Sequence, residues 1–373
     1  AQVLPSPEAL YTIDETKLLA LSRTDGQVLW QTSMADKLVS GCSNCFELMA
    51  DHLIAVVQGG TVQGFNAQTG QLTWSKRLNF EPGSRLMPAG SQLVIFDRTQ
   101  DNRSNLMLVV DPANGDSVAE ITIPECAGKM FNFHHPLLYN QDRGELYLIS
   151  GDIIGPACLQ VWDIAGQKMA RQIVFDGIAL FSNFSNFIDE QNKVLLAGDQ
   201  LYFAAQEQEV SGDGPGLILK VNLADGTWQA LAPTPDYELV PLTMSDNLLL
   251  VRAIRNRGTE RSELWALDPA AGQPRWQYVI QAPRWFKEAG SEPAWDWRLT
   301  PHGLAVLQIF GDPDQLVIEI LNPQTGVSAG QKTIPLEDNY FTGIVWTDDA
   351  AWVALRKIHK VDLETGSVGY TWP

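Results

Sequence analysis

The sequence predicts an all-β fold, a single β-propeller domain spanning residues 1–373 with eight four-stranded blades, and three observations carry that expectation. A hairpin motif recurs along the chain, its turns close on regularly spaced glycines, and an upstream pair of alternating apolar runs precedes each copy.

The motif is clearest in LLALSRTDGQVLW (18–30), VQGFNAQTGQLTW (62–74) and LWALDPAAGQPRW (264–276). Each is an apolar strand, a turn ending on Gly, and a second strand with Trp four residues beyond that Gly. Weaker copies centre on Gly115, Gly166, Gly226, Gly326 and Gly366, the last with Tyr370 in the Trp position. Eight turn glycines in 373 residues give about 47 residues per unit, close to the roughly 40–50 of a four-stranded blade.

Turn chemistry agrees with hairpins. Asp111-Pro112, Asp268-Pro269 and Asn322-Pro323 open turns in which Pro fixes φ and the later Gly takes the positive-φ position. The upstream pairs are CFELMADHLIAVVQ, SRLMPAGSQLVIFD and LVPLTMSDNLLLVRAI, each two apolar runs around a short polar turn, so a unit holds four strands. A lone blade leaves both faces uncovered and must pack against neighbours. A seven-bladed ring with one irregular hairpin is the alternative count.

Composition narrows the function. With 45% hydrophobic and 19% charged residues the chain is globular, and 26 Lys plus Arg against 44 Asp plus Glu give a net charge of -18. A field of that sign repels phosphate backbones and anionic lipid, so no nucleic-acid partner is expected. The densest basic stretch, Arg252, Arg255, Arg257 and Arg261 with Glu260 and Glu263, reads as a solvated hairpin loop. No run approaches the roughly 18 apolar residues of a membrane span. The opening Ala1-Gln2 fits a mature exported chain with its signal peptide removed, periplasmic or extracellular.

The apolar strand, Asp/Asn-x-x-x-Gly turn and Trp at the fourth position after Gly resemble the tryptophan-docking repeat of pyrroloquinoline-quinone-like propellers, over nearly the whole chain. That family holds quinoprotein alcohol dehydrogenases and non-enzymatic scaffolds, among them the lipoprotein propeller of the outer-membrane β-barrel assembly machinery. Fold resemblance alone does not choose between them. The dehydrogenases hold their quinone between a Trp face and an adjacent Cys-Cys disulfide, with calcium on Glu, Asn and Asp and an Asp as base. This chain has no adjacent cysteine pair, is shorter, and shows no matching calcium-and-base set. The scaffold branch departs too, since its lipoprotein members start on a lipidated Cys and this chain starts on Ala1.

The four cysteines, Cys42, Cys45, Cys126 and Cys158, are an even number and fit disulfides in an exported protein. Cys126 lies in a connection between blades and Cys158 opens a third strand in the neighbouring blade, so the two can pair and staple two loops. Cys42-Ser43-Asn44-Cys45 is followed by Phe46 where c-type haem attachment needs His. Zinc is the lesser alternative, because a closed site wants four ligands and no second CxxC exists. A redox-active CxxC would open a helix, and four reduced thiols would mark a cytoplasmic chain. His134 and His135 are adjacent and point oppositely on a strand, which argues against one shared metal. The run 212–216 (GDGPG) lacks the phosphate-loop Lys, and no nucleophile elbow, zinc-protease helix or calcium loop is present. No catalytic, cofactor or metal residue is therefore assigned.

Long connections between blades fall at 124–136, 175–187 and 281–297. They carry Phe131, Phe133, His134, His135, Phe181, Phe184, Phe187, Trp285, Phe286, Trp295 and Trp297, with Tyr340 and Phe341 in a later connection. Long loops on a rigid scaffold often carry function and aromatic residues anchor interfaces, so these residues form a candidate binding rim; filling gaps between blades is the competing reading. The expectation is a non-catalytic propeller, without cofactor, binding protein partners in an envelope or surface complex. The alternatives are a quinoprotein-type dehydrogenase and a carbohydrate- or peptide-binding propeller.

Overall fold

The computed structural model describes residues 3–22, 26–38, 45–77, 86–98, 105–126, 128, 137–151, 155–180, 194–209, 214–235, 237–255, 262–280, 295–311, 314–335, 343–347, 350–354, 358–364 and 368–372. No helix occurs among them. They form eight antiparallel sheets, seven four-stranded and one five-stranded, over residues 3–33, 46–77, 86–123, 137–175, 178–179 with 194–234, 237–279, 295–335 and 343–372. These are the blades of a β-propeller, numbered 1 to 8 below. The first and last blades each draw four consecutive strands from their own segment, so the count is eight and neither borrows a strand from the other. The chain forms two compact units, Ala1–Gln191 and Asn192–Pro373, with four blades in each.

Within a blade, burial rises from the first strand to the middle two and falls at the fourth. His52–Val57 and Asn105–Val110 are apolar at nearly every position because both faces of the sheet are covered, whereas Leu72–Arg77 and Gln273–Val279 alternate exposed and sheltered residues. The period-two alternation divides each middle strand between two neighbours. Leu53, Ala55 and Val57 pack on blade 1 beside Leu18 and Tyr11, while Ile54 and Val56 pack on blade 3 beside Leu93 and Ile95. Blade 6 repeats the pattern, Leu249 and Val251 facing blade 5 while Leu248 and Leu250 face blade 7.

One turn joins the third and fourth strands in most blades. In Asn66–Gly70 the Gly70 N–H donates to the Asn66 carbonyl at 2.8 Å, and the Asn66 side-chain oxygen accepts from the Gln68 and Thr69 amides. The same closure holds at Asp111 and Gly115, Asn222 and Gly226, Asp268 and Gly272, and Asn322 and Gly326. These glycines have φ near +70°, the left-handed region that disfavours a Cβ. Directly above the turn a β-bulge shifts the register, between Gly64 and Phe65 in blade 2 and between Ala266 and Leu267 in blade 6.

The bulge sets the Trp of the fourth strand across from a small residue, Trp30 opposite Ala20, Trp74 opposite Gly64 and Trp276 opposite Ala266. Each indole then lies on the turn of the next blade. Trp74 Nε1 donates to the Pro112 carbonyl at 2.8 Å, Trp30 Nε1 to Ala67 at 3.1 Å and Trp276 Nε1 to Pro323 at 3.1 Å. A Cβ built on Gly115 would fall 2.6 Å from Trp74, and one on Gly326 would fall 2.7 Å from Trp276. The glycine is thus required twice, by its φ and by the indole lying on it.

Two sequence expectations are corrected here. In blade 4 the left-handed residue is Gln167 at φ 52°, one position after the expected Gly166, whose N–H donates to the Asp163 carboxylate at 2.8 Å. Arg252 and Glu263, read as part of a solvated loop, are buried strand residues at 8% and 6% exposure. Arg257, Glu260 and Arg261 lie outside the described residues.

Trp74→Ala removes both the buried ring and its hydrogen bond, and is expected to cost about 3–5 kcal/mol in urea unfolding. Gly115→Ala, at a strained φ and against the same ring, is expected to destabilise as well, whereas Gly59→Ala, with no atom near its Cβ, tests the φ cost alone and should lose less. Equal losses for the two glycine variants would rule out indole contact as the reason for Gly115.

Candidate functional site

At three junctions among the described residues the chain leaving one blade is clamped to the third strand of the next. Cys126, just after the fourth strand of blade 3, is disulfide-bonded to Cys158 in Ala157–Asp163 of blade 4, with Cα atoms 6.0 Å apart. Two residues along on the same face, buried Gln160 donates from Nε2 to the Pro124 carbonyl at 3.0 Å. Gln63 holds the corresponding place in blade 2, where its Oε1 accepts from the Ala35 amide at 2.8 Å. Glu319 does so in blade 7, accepting from the Tyr278 hydroxyl at 2.5 Å, while Gln308 Nε2 donates to the same hydroxyl at 2.9 Å. Burial and the neighbouring carboxylate push the Tyr278 phenol above its ordinary range, so it stays protonated and donates. Gln63, Gln160 and Glu319 each sit three residues before the Asp or Asn that opens the turn, a recurrence that aligning the repeats on that residue would reveal.

Cys45 is disulfide-bonded as well, and Cys42 lies outside the described residues. Of the candidate rim, Phe131, Phe133, His134, His135, Phe181, Phe184, Phe187, Trp285, Phe286, Tyr340 and Phe341 also lie outside them. Trp295 and Trp297 are described, and they are strand residues, not loop residues. They belong to Trp295–Thr300, the first strand of blade 7, half-buried against the apolar layer that includes Leu248, Leu264 and Leu304. The Arg252 guanidinium of blade 6 stands 4.9 Å from the Trp295 ring centroid, a cation–π contact that accounts for a buried arginine near this aromatic side chain. These two tryptophans therefore fill the gap between blades.

The docking position of the fourth strand is not always Trp. Across from it in blade 5, Lys220 Nζ donates to the Pro269 carbonyl at 3.4 Å and so replaces the indole N–H on the turn of blade 6. In blade 7 the position is Gly330, opposite Ile320, and a Cβ there meets nothing. A cleft of about 250 Å³ opens at that point, lined by Ile318, Ile320 and Gly330 of blade 7 and by Val361 and Leu363 of blade 8, with Lys332 and Glu364 among its polar residues.

A half-buried carboxyl completes the inventory. Glu47, in the first strand of blade 2, alternates with Cys45 and Met49 and therefore faces the layer those residues share with blade 3. Burial pushes its pKa up to about 7 from the ordinary 4.5. The folded protein thus binds a proton here that the unfolded chain releases above about pH 4.5, and stability falls as pH rises through about 7. Glu47→Gln is expected to flatten this part of the profile, gaining on the order of 2 kcal/mol relative to wild type at pH 8 and little at pH 4. Urea unfolding of both proteins across that range checks it. Separately, replacing Cys126 and Cys158 together by Ala opens a loop whose ends are 32 residues apart and is expected to cost roughly 2–4 kcal/mol in the same assay.

Among the described residues no three His, Cys, Asp or Glu side chains come together to hold a metal ion. Among solved structures the chain is similar to BamB from Moraxella catarrhalis at 12% identity and TM-score 0.55, covering 95% of this chain and 90% of that one. It is similar to the computationally designed Ika8 protein at 13% identity and TM-score 0.52, covering 95% and 92%. A europium-containing methanol dehydrogenase matches at 10% identity and TM-score 0.53, covering 95% and 81%. At these identities the likeness is one of fold, a repeat propeller shared by an assembly factor and an enzyme. A search of curated proteins finds no match. The profile of the family described as outer membrane protein assembly factor BamB matches residues 4–211, more than half of the sequence, and the chain belongs to that family.

Proposed function

We propose that this protein is a non-catalytic, exported scaffold that binds a protein partner in an envelope complex, as an accessory factor in outer-membrane protein assembly. The observation that carries the reading is the family match over residues 4–211. The disulfide between Cys126 and Cys158 supports an oxidising compartment such as the periplasm, since reducing cytosol seldom preserves such bonds. The clamped blade connections fit a scaffold whose long connections carry the contact residues.

In this reading the contact residues are sought in the long connections that carry Phe131, Phe133, Phe181, Phe184, Trp285, Phe286, Tyr340 and Phe341, each taken separately and all outside the described residues. Trp295 and Trp297 are left out because they are committed to packing.

The test is in-cell photo-crosslinking from positions in 281–294, followed by affinity purification from the envelope fraction. The expected result is one stoichiometric partner of the outer-membrane assembly machinery. Trp285→Ala with Phe286→Ala should lower its recovery at least tenfold with an unchanged unfolding midpoint. Recovery of no envelope protein, together with stoichiometric binding of pyrroloquinoline quinone and calcium and dye reduction, would overturn the scaffold in favour of a quinoprotein.

A further inference from the structure

The blades of this chain carry a device that is complete at three described junctions and lacks its indole at others, among them the junction of blades 7 and 8, where a cleft remains. At three junctions an indole lies on the next turn, its N–H on the carbonyl of the residue after the opening Asp or Asn, namely Ala67, Pro112 or Pro323. At the junction of blades 7 and 8 the corresponding carbonyl belongs to Leu363, which follows Asp362 and lines the cleft. The corresponding fourth-strand residue, paired opposite the last residue before the bulge, is Gly330. The apolar walls are in place, Leu363 holds the position whose carbonyl accepts at the other three junctions, and the indole is missing.

We propose that this cleft is a docking station for a single tryptophan side chain supplied by the protein partner, which rests on the scaffold reading above and names the chemistry of one contact. Three features fit that occupant. The remaining space, about 250 Å³, exceeds the roughly 150 Å³ that already admits benzene, although Ile320 stands where Ala20, Gly64 and Ala266 leave room for the chain's own indoles. Ile318, Val361 and Leu363, all buried, supply apolar contact for a ring. The Leu363 carbonyl supplies an acceptor for an indole N–H, which leucine or phenylalanine could not satisfy. A partner's tryptophan would repeat between chains the contact that the protein makes three times within itself, and interface anchors are commonly of this residue type.

The probe is N-acetyl-L-tryptophanamide titrated into the full chain and followed by amide NMR, with N-acetyl-L-leucinamide as control. Saturable shifts at Gly330, Gln331 and Leu363 with the tryptophan amide, at least tenfold weaker with the leucine amide, are expected. The double variant Ile320→Ala with Gly330→Trp rebuilds the Ala266 and Trp276 pair in the chain itself. It should raise the unfolding midpoint and abolish the shifts. Absence of saturable shifts in wild type, equal response to the leucine amide, or shifts that persist in a folded double variant would each overturn the station. Because the titration uses no partner, a negative result leaves the envelope crosslinking to decide the scaffold reading independently.

Discussion

The approach of an indole to a glycine in the next blade is the contact on which the rest of this fold turns. A four-stranded sheet with two apolar faces must be covered on both, and packing sheet on sheet supplies burial but no direction. The N–H of Trp74 on the Pro112 carbonyl fixes where along its length blade 2 meets blade 3. The same ring excludes any side chain at Gly115, so residues 41 positions apart are bound into one geometric condition. The bulge beside Gly64 turns the Trp toward that neighbour, and the Asp111 side chain shapes the turn that receives it.

Where the indole is lost, the chain uses other means. Lys220 reaches the Pro269 carbonyl with an ammonium, which keeps the hydrogen bond and gives up the ring. In blade 3 the docking position is Ala119 opposite Val109, and in blade 7 Gly330 opposite Ile320, so the third strand grows larger where the fourth grows smaller. A second fastening, independent of the tryptophans, runs through Gln63, Gln160 and Glu319, each of which ties the incoming chain to a buried third strand. The disulfide reinforces one of these ties. Degenerate repeats can thus keep one architecture while individual contacts drift, because each junction needs directional fixing but not a particular residue.

The architecture was legible because its signals are local. A turn glycine, an Asp or Asn shortly before it and a Trp four residues after it lie within one short window; three clear copies and five weaker ones give the blade count. The pairing of Cys126 with Cys158 was readable for the same reason, once strand order placed both at one junction. Gly166 misled because its turn puts the left-handed residue on Gln167, and Gln carries no turn signal. Trp295 and Trp297 were assigned to a loop because 281–297 contains Pro, Gly and charge without clear alternation, yet the strand begins at Trp295. Arg252 was read as solvent-facing because sequence does not show that a ring will cover it; its cation–π partner lies 43 residues away. The cleft at Gly330 is a missing side chain, which becomes visible only when the repeats are aligned by register.

The fourth strands pose a separate problem for such a fold, because they are the edges of its sheets. The fourth strand is outermost in each sheet and carries several exposed apolar side chains, among them Val28, Leu29, Leu72, Val118 and Trp228. An edge of that kind invites association with any extended chain. Two features restrain it here. Charged residues interrupt the edges, as Lys76 and Arg77 do in blade 2 and Lys168 and Arg171 in blade 4. A net charge of -18 makes two copies of the chain repel one another while leaving an oppositely charged partner attracted. Charge opposes self-association through the whole molecule, whereas the interrupted edges oppose it strand by strand, so the two restraints act at different ranges.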